Sequence, residues 1–87
     1  MTEASRDAFL GGRVTALQPR AGHHRSGLDA VLLAAAFGQR TVGAVVDLGA
    51  GAGVAGFCLA ARAEATRVTL AEREPDLVAL AREAAAL

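Results

Sequence analysis

The sequence predicts an α/β fold built on a parallel, doubly wound sheet, and predicts that these 87 residues are the opening section of it. Three observations carry that expectation. The apolar run Val45-Val46-Asp47-Leu48 closes on an acid and passes directly into Gly49-Ala50-Gly51-Ala52-Gly53. A helical spacing follows, and a second alternating run, Arg67 to Glu72, returns as a strand. Two strands joined through a helix of this length run parallel with a right-handed crossover, and parallel sheets are normally buried on both faces by more chain than is present here.

The elements follow in order. Residues 1–10 read as a polar segment with an apolar tip at Phe9-Leu10, and Gly11-Gly12 mark a turn. Arg13 to Gln18 alternates weakly, as a short strand stopped by Pro19. The stretch Arg20 to Gly27 has no periodicity and reads as a loop. Ser26 followed by Asp29 three residues later is a helix-start signature, and Leu28 to Phe37 is apolar on nearly every face before Gly38, so this helix is expected to be buried on several sides. Thr41 to Leu48 is the first firm strand. Val54, Phe57, Cys58, Ala61 and Ala65 share one face of the helix after the glycines, leaving Arg62 and Glu64 to solvent. Val68 and Leu70 alternate with Thr69 and Ala71 in the second strand. Pro75 suits the first turn of a last helix with Asp76 beside it, and Leu77, Leu80, Ala84 and Leu87 form its apolar stripe. Residues 1–40 thus form an N-terminal unit of hairpin, loop and helix, and residues 41–87 an incomplete βαβα unit. The last pattern is still running at Leu87, and two strands alone leave Val45, Val46, Val68 and Leu70 poorly covered, which predicts a loosely packed or aggregating chain.

Composition excludes several classes. Nine cationic residues, all arginine, balance nine acids, so no global field recruits nucleic acid or an anionic membrane, and basic recognition must be local. Arg13, Arg20 and Arg25 are the candidate phosphate-binding stripe, against the alternative of ordinary surface arginines. The single cysteine, Cys58, excludes an internal disulfide and multi-cysteine metal sites, and sits where inert packing is expected. His23 and His24 are loop neighbours without a third ligand, so no metal is expected. No secretory signal and no bilayer-length apolar run are present, and the expected location is cytoplasmic.

The glycine segment reads as a nucleotide-shaped socket. Glycines allow a sharp turn, bring bare backbone N–H groups against a ligand, and aim the positive end of the next helix into the same crevice. Glu72, at the tip of the second strand, stands where a carboxylate meets a ribose; the alternative is a solvated strand end. Two registers compete. From Gly49 the loop is Gly-x-Gly-x-Gly and begins at the natural strand end; from Gly51, Gly51-Ala52-Gly53-Val54-Ala55-Gly56 satisfies the dinucleotide pattern but starts two residues late. Asp47 would repel a pyrophosphate and suits a cationic ligand, as the sulfonium and α-ammonium of S-adenosylmethionine would be, unless it only caps the loop.

Asp47-x-Gly49-x-Gly51-x-Gly53 resembles the first motif of class I S-adenosylmethionine-dependent methyltransferases, and Glu72 matches the ribose-binding acid of that family. The resemblance implies the N-terminal part of a Rossmann-like doubly wound sheet, truncated after the second strand and its helix. The stretch from Asp7 to Val14 and the segment Gly22 to Leu33 are similar, more narrowly, to bacterial enzymes of the small methyltransferase domain group that methylate the N6 of an adenine in valine tRNA. In that group the Gly-x-Asp-Ala-x-Leu-Leu segment caps the cofactor site, which would bring Gly27 and Asp29 near the methionine end; Asp29 could equally serve the capping box with Ser26. The family's catalytic Asn-Pro-Pro-aromatic motif is absent, because the sequence has no asparagine, Trp or Tyr, and Pro19 and Pro75 lie apart. No catalytic residue is therefore expected among these residues. Three readings follow: the cofactor-binding part of a methyltransferase acting on adenine N6, with tRNA bound through further chain and the three arginines; a dinucleotide-binding part of an oxidoreductase in the Gly51 register; or a non-catalytic, truncated remnant.

Overall fold

The structure, a computed structural model, describes residues 3–38, 40–63 and 66–87. The expectations that touch Met1, Thr2, Glu64 and Ala65 fall outside these residues. The described chain opens with an antiparallel hairpin of β1 (Ala4–Phe9) and β2 (Val14–Pro19), in register from Ala4 opposite Pro19 to Phe9 opposite Val14. A turn over Leu10–Gly12 joins them, with Gly11 and Gly12 at φ +64° and +92°, where a Cβ is disfavoured. Residues 4–9, read from sequence as a polar terminus, are thus a strand. Apolar alternation could not disclose it, because the side chains that β1 turns toward the rest of the chain, Ser5 and Asp7, are polar and hydrogen-bonded.

After the loop, α1 (Leu28–Ala35) begins at an N-cap of Gly27 that lacks a side-chain cap, one residue later than a Ser26 capping box requires. The Ser26 backbone is instead held by Gln18, and Asp29 accepts the Gly27 N–H. The expectation that this helix is buried on several sides is corrected. Only the i, i+4 pair Ala30 and Ala34 is buried, packed toward the next helix, whereas Leu32 and Leu33 remain 60% and 57% exposed.

A parallel pair then forms from β3 (Gly43–Leu48) and β4 (Thr66–Ala71), with Val45 opposite Val68 and Leu48 opposite Ala71, linked through α2 (Val54–Arg62). The two strands end side by side, which decides the geometry of the loop after β3. On α2, Val54, Gly56, Cys58 and Leu59 are buried, while Phe57 and Ala61 are half-buried. Leu59 lies outside the face expected from spacing. Arg62, expected to face solvent, donates to the carbonyls of Ala34 (3.0 Å) and Phe37 (3.2 Å) at the carbonyl end of α1.

Finally, α3 (Pro75–Ala85) starts with proline in its first turn and buries Leu77, Leu80, Ala81 and Ala84, packing against β2; Leu87 ends the stripe 61% exposed. The main core joins the hairpin, α1 and α2 through Val14, Ala16, Ala30, Ala34, Val54, Cys58, Leu59 and Ala63. Its alanines let the two helices and β2 approach closely. Val45, Val68 and Leu70 are half-buried under α2, whereas Val46 and Leu48, on the other face of β3, are 57% and 81% exposed. The expected poor cover is therefore confined to one sheet face. Among the described residues no helix is long and apolar enough to cross a membrane.

Candidate cofactor site

Chain direction places the site. Both parallel strands point their C-terminal ends at the same edge, so the loop Gly49 to Gly53 and the segment from Ala71 to Glu74 face each other there. Gly49, Gly51 and Gly53 adopt φ of +70°, +59° and +94°, the left-handed region that L side chains avoid. That accounts for the alternating glycines conformationally. The expectation of bare amides, however, is corrected: the N–H groups of Gly49 and Ala50 both donate to the Ala71 carbonyl (2.9 and 3.1 Å), that of Gly53 donates to Ala50 (3.0 Å), and that of Gly51 donates to Glu72 Oε1 (2.8 Å). The physical reason is proximity. With Leu48 opposite Ala71, the turn lies within reach of β4's terminal acceptors.

Glu72 is the hinge of this arrangement. Its Oε1 accepts from Gly51, and its Oε2 accepts from the Glu74 N–H at 3.0 Å, just before α3 begins. The Glu74 and Gly51 amides hold its carboxyl below the ordinary glutamate range, because they bond the ionised form. Each carboxylate oxygen keeps a further lone-pair direction for a ligand hydroxyl. An open cleft of about 460 Å³ beside it is lined by Gly49, Ala71, Glu72 and Arg73, and a Cβ built on Gly49 or Gly51 meets no atom within 4 Å. The next helix opens without a side-chain cap at Gly53.

Asp47 is placed differently. It shares the α2-facing side of β3 with Val45 and lines a separate hollow of about 190 Å³ with Leu33, Phe37, Val46 and Gly56. It has no hydrogen-bond or ion-pair partner among the described residues, its oxygens still reach solvent, and burial pushes its carboxyl above the ordinary aspartate range. An acid kept in an apolar hollow without a counter-charge suits a cationic group. Gly27 and Asp29 form a third locus at the start of α1: Asp29 Oδ1 accepts the Gly27 N–H (2.9 Å), Oδ2 lies 3.6 Å from His24 Nε2, and the Gly27 bond lowers the Asp29 carboxyl. So the structure gathers Gly49, Gly51, Gly53 and Glu72 at one strand edge, and neither the Asp47 hollow nor the Glu72 cleft is lined by Gly27 or Asp29.

Gly56 has a role that sequence spacing left to the competing register. A Cβ there would lie 2.3 Å from Leu70 Cδ2 and 3.2 Å from Val68 Cγ1, so the glycine lets α2 sit tightly on β4. The turn itself begins at Gly49, directly after Leu48. Cys58 is buried, and burial raises its thiol, so it stays an unreactive packing residue. The three arginines of the expected stripe have internal partners: Arg13 donates to the Ala61 carbonyl, Arg20 pairs loosely with Glu3 at 3.7 Å, and Arg25 binds Asp7, Ser5 and the Pro19 carbonyl.

The description of the methyltransferase small domain family matches residues 22–87, well over half of the chain. The chain belongs to that family. No curated protein and no solved structure matches it. The match begins at Gly22, so it takes in the loop before α1, both parallel strands and the glycine turn, and leaves the hairpin outside. Methyltransferase small domains are class I enzymes that generally use S-adenosylmethionine, and a dinucleotide reading in the Gly51 register is not favoured.

Proposed function

We propose that this methyltransferase small domain binds S-adenosylmethionine at the edge formed by the ends of β3 and β4. The observation that carries the reading is Glu72: a carboxylate fixed by the Gly51 and Glu74 amides, ionised, and facing an open cleft beside Gly49. Fixed in this way, it would accept hydrogen bonds from the two ribose hydroxyls without reorganising. Gly49 and Gly51 would let the adenosyl group approach the turn without a Cβ in the way, Gly53 would let α2 leave that turn close over β4, and Asp47 would meet the cationic methionine end. Gly27 and Asp29 would close over that end from the start of α1.

S-adenosylmethionine supplies an activated methyl group for transfer to a nucleophile. The residues present bind and orient; none of them matches the Asn-Pro-Pro-aromatic segment that the resemblance assigns to the acceptor amine, since the sequence has no asparagine. We accordingly read the chain as the cofactor-binding portion of a Rossmann-like methyltransferase, with adenine N6 of tRNA as the acceptor for the intact enzyme. Of the three arginines, Arg20 is the freest for phosphate contact, since its pairing with Glu3 joins two exposed side chains and is worth little. A single buried thiol fits a reducing location such as the cytoplasm.

Isothermal titration with S-adenosylhomocysteine and with NADH tests the reading. The wild-type chain is expected to bind the former, and Glu72→Ala to weaken it by about tenfold or more, as for loss of charge-assisted hydrogen bonds. Preference for NADH, or no binding of S-adenosylhomocysteine, would overturn it.

A further inference from the structure

Gln18 is the most deeply buried polar side chain of the described residues, 2% exposed, and it lies at the end of β2 rather than in the site. Its amide is fully used. Nε2 donates to Ser26 O and to Asp7 Oδ2, both at 3.0 Å, while Oε1 accepts the Ser26 N–H at 2.7 Å. The side chain therefore pairs with both backbone groups of Ser26 as a neighbouring strand would. The amide orientation is fixed by its partners, since a flip would set NH₂ against an N–H.

Arg25, one residue earlier in the loop, reinforces the clasp. It donates to Ser5 Oγ at 2.9 Å, to the Pro19 carbonyl at 2.8 Å and to Asp7 Oδ2 at 3.2 Å, and Asp7 also accepts from Ser5. The polar face of the hairpin thus grips the two residues that immediately precede Gly27. The hairpin contributes no residue to the strand-edge site, and the family match does not reach it.

We infer that Gln18 is a positioning residue for cofactor binding: the hairpin acts as a clasp that fixes Ser26, and through it sets Gly27 and Asp29 where they close on the methionine end of the ligand. The inference rests on the cofactor reading above and adds to it a part for the N-terminal hairpin. A loop of eight residues, Arg20 to Gly27, would otherwise sample many conformations, and apparent affinity falls in proportion to the fraction of molecules in the competent one. Linkage requires the converse: a ligand that uses the clasped loop must tighten the clasp.

Amide hydrogen exchange and S-adenosylhomocysteine titration on the full chain test this together. In the wild type, bound S-adenosylhomocysteine is expected to slow exchange at the Ser26 amide. Gln18→Ala is expected to speed that exchange and weaken binding about tenfold, while amides of β3 and β4 keep their protection. Gln18→Met, which keeps the side-chain length and adds no charge beside Asp7 but removes the amide, guards against a variant that fails to fold; it should match Gln18→Ala in both readouts. Faster Ser26 exchange with unchanged affinity would overturn the inference alone, as would unchanged exchange. A wild type that does not bind S-adenosylhomocysteine would overturn the cofactor reading as well.

Discussion

Replacing Gly53 with alanine should damage this protein far more than the same change at Gly49, although both glycines belong to one turn. Both have positive φ, +94° and +70°, so each alanine is strained by about 1–2 kcal/mol. Only Gly53 is also crowded. A methyl group there would sit 2.8 Å from Leu70 Cδ1 and 2.8 Å from Phe57 Cε2, where α2 leaves the turn over β4. Overpacking of that kind costs about 1–3 kcal/mol. Gly53→Ala should therefore lose about 2–5 kcal/mol, and Gly49→Ala about 1–2 kcal/mol. Urea unfolding followed by circular dichroism at low protein concentration resolves the gap, since it corresponds to a midpoint shift of about 1 M. Binding should follow a different order. The Gly49 methyl would enter the open cleft beside Glu72, so Gly49→Ala should remain folded and still lose S-adenosylhomocysteine affinity. Equal stability losses at the two positions would refute the packing argument.

Other expectations follow from the carboxylates and the open sheet face. The Glu72 carboxyl is lowered by the Glu74 and Gly51 amides, so its contribution is present above the ordinary value of 4.5 and lost as pH falls through the lower folded value. Melting temperature measured against pH should therefore drop less steeply below pH 4.5 for Glu72→Gln than for the wild type. Asp47 has the opposite sign: burial raises it, so its effect on stability worsens as pH climbs from 3.8 through the folded value. Asp47→Asn should melt higher than the wild type at neutral pH, match it in strong acid, and bind S-adenosylhomocysteine more weakly, as expected where function is held at the expense of stability. Leu48, 81% exposed on the uncovered face of β3, should drive concentration-dependent association, and Leu48→Lys should reduce light scattering with a stability change within about 0.5 kcal/mol.

What the sequence disclosed was whatever local spacing controls. Val45 to Leu48, the three glycines and Val68 to Leu70 gave the parallel pair, and Pro75 opened α3 as its fixed φ requires. Features decided by distant partners were hidden. The β1 strand carries polar residues on its gripping face, so it is held by its ladder to β2 and by bonds to Gln18 and Arg25 rather than announced by apolar alternation. The Arg62 guanidinium reads as a solvent-facing charge until α1 ends beside it. Within the site, the glycines and Glu72 were legible, but not that Glu72 itself takes up the Gly51 amide. That bond arises only because β3 and β4 end in register. Gln18 offered one faint signal: an uncharged polar residue on the alternating face of Val14 and Ala16, where burial is expected.

On the reading proposed above, an adenosyl ligand lies in the open cleft beside Gly49 and Glu72, against the glycine turn and the tip of β4. A titration of the isotopically labelled chain with S-adenosylhomocysteine, followed by amide resonances, tests it residue by residue. The largest shifts are expected at Gly49, Gly51, Gly53 and Glu72, with smaller ones at Gly27 and Asp29. Saturable shifts confined to other residues, with the Gly49 to Gly53 amides unmoved, would contradict the account.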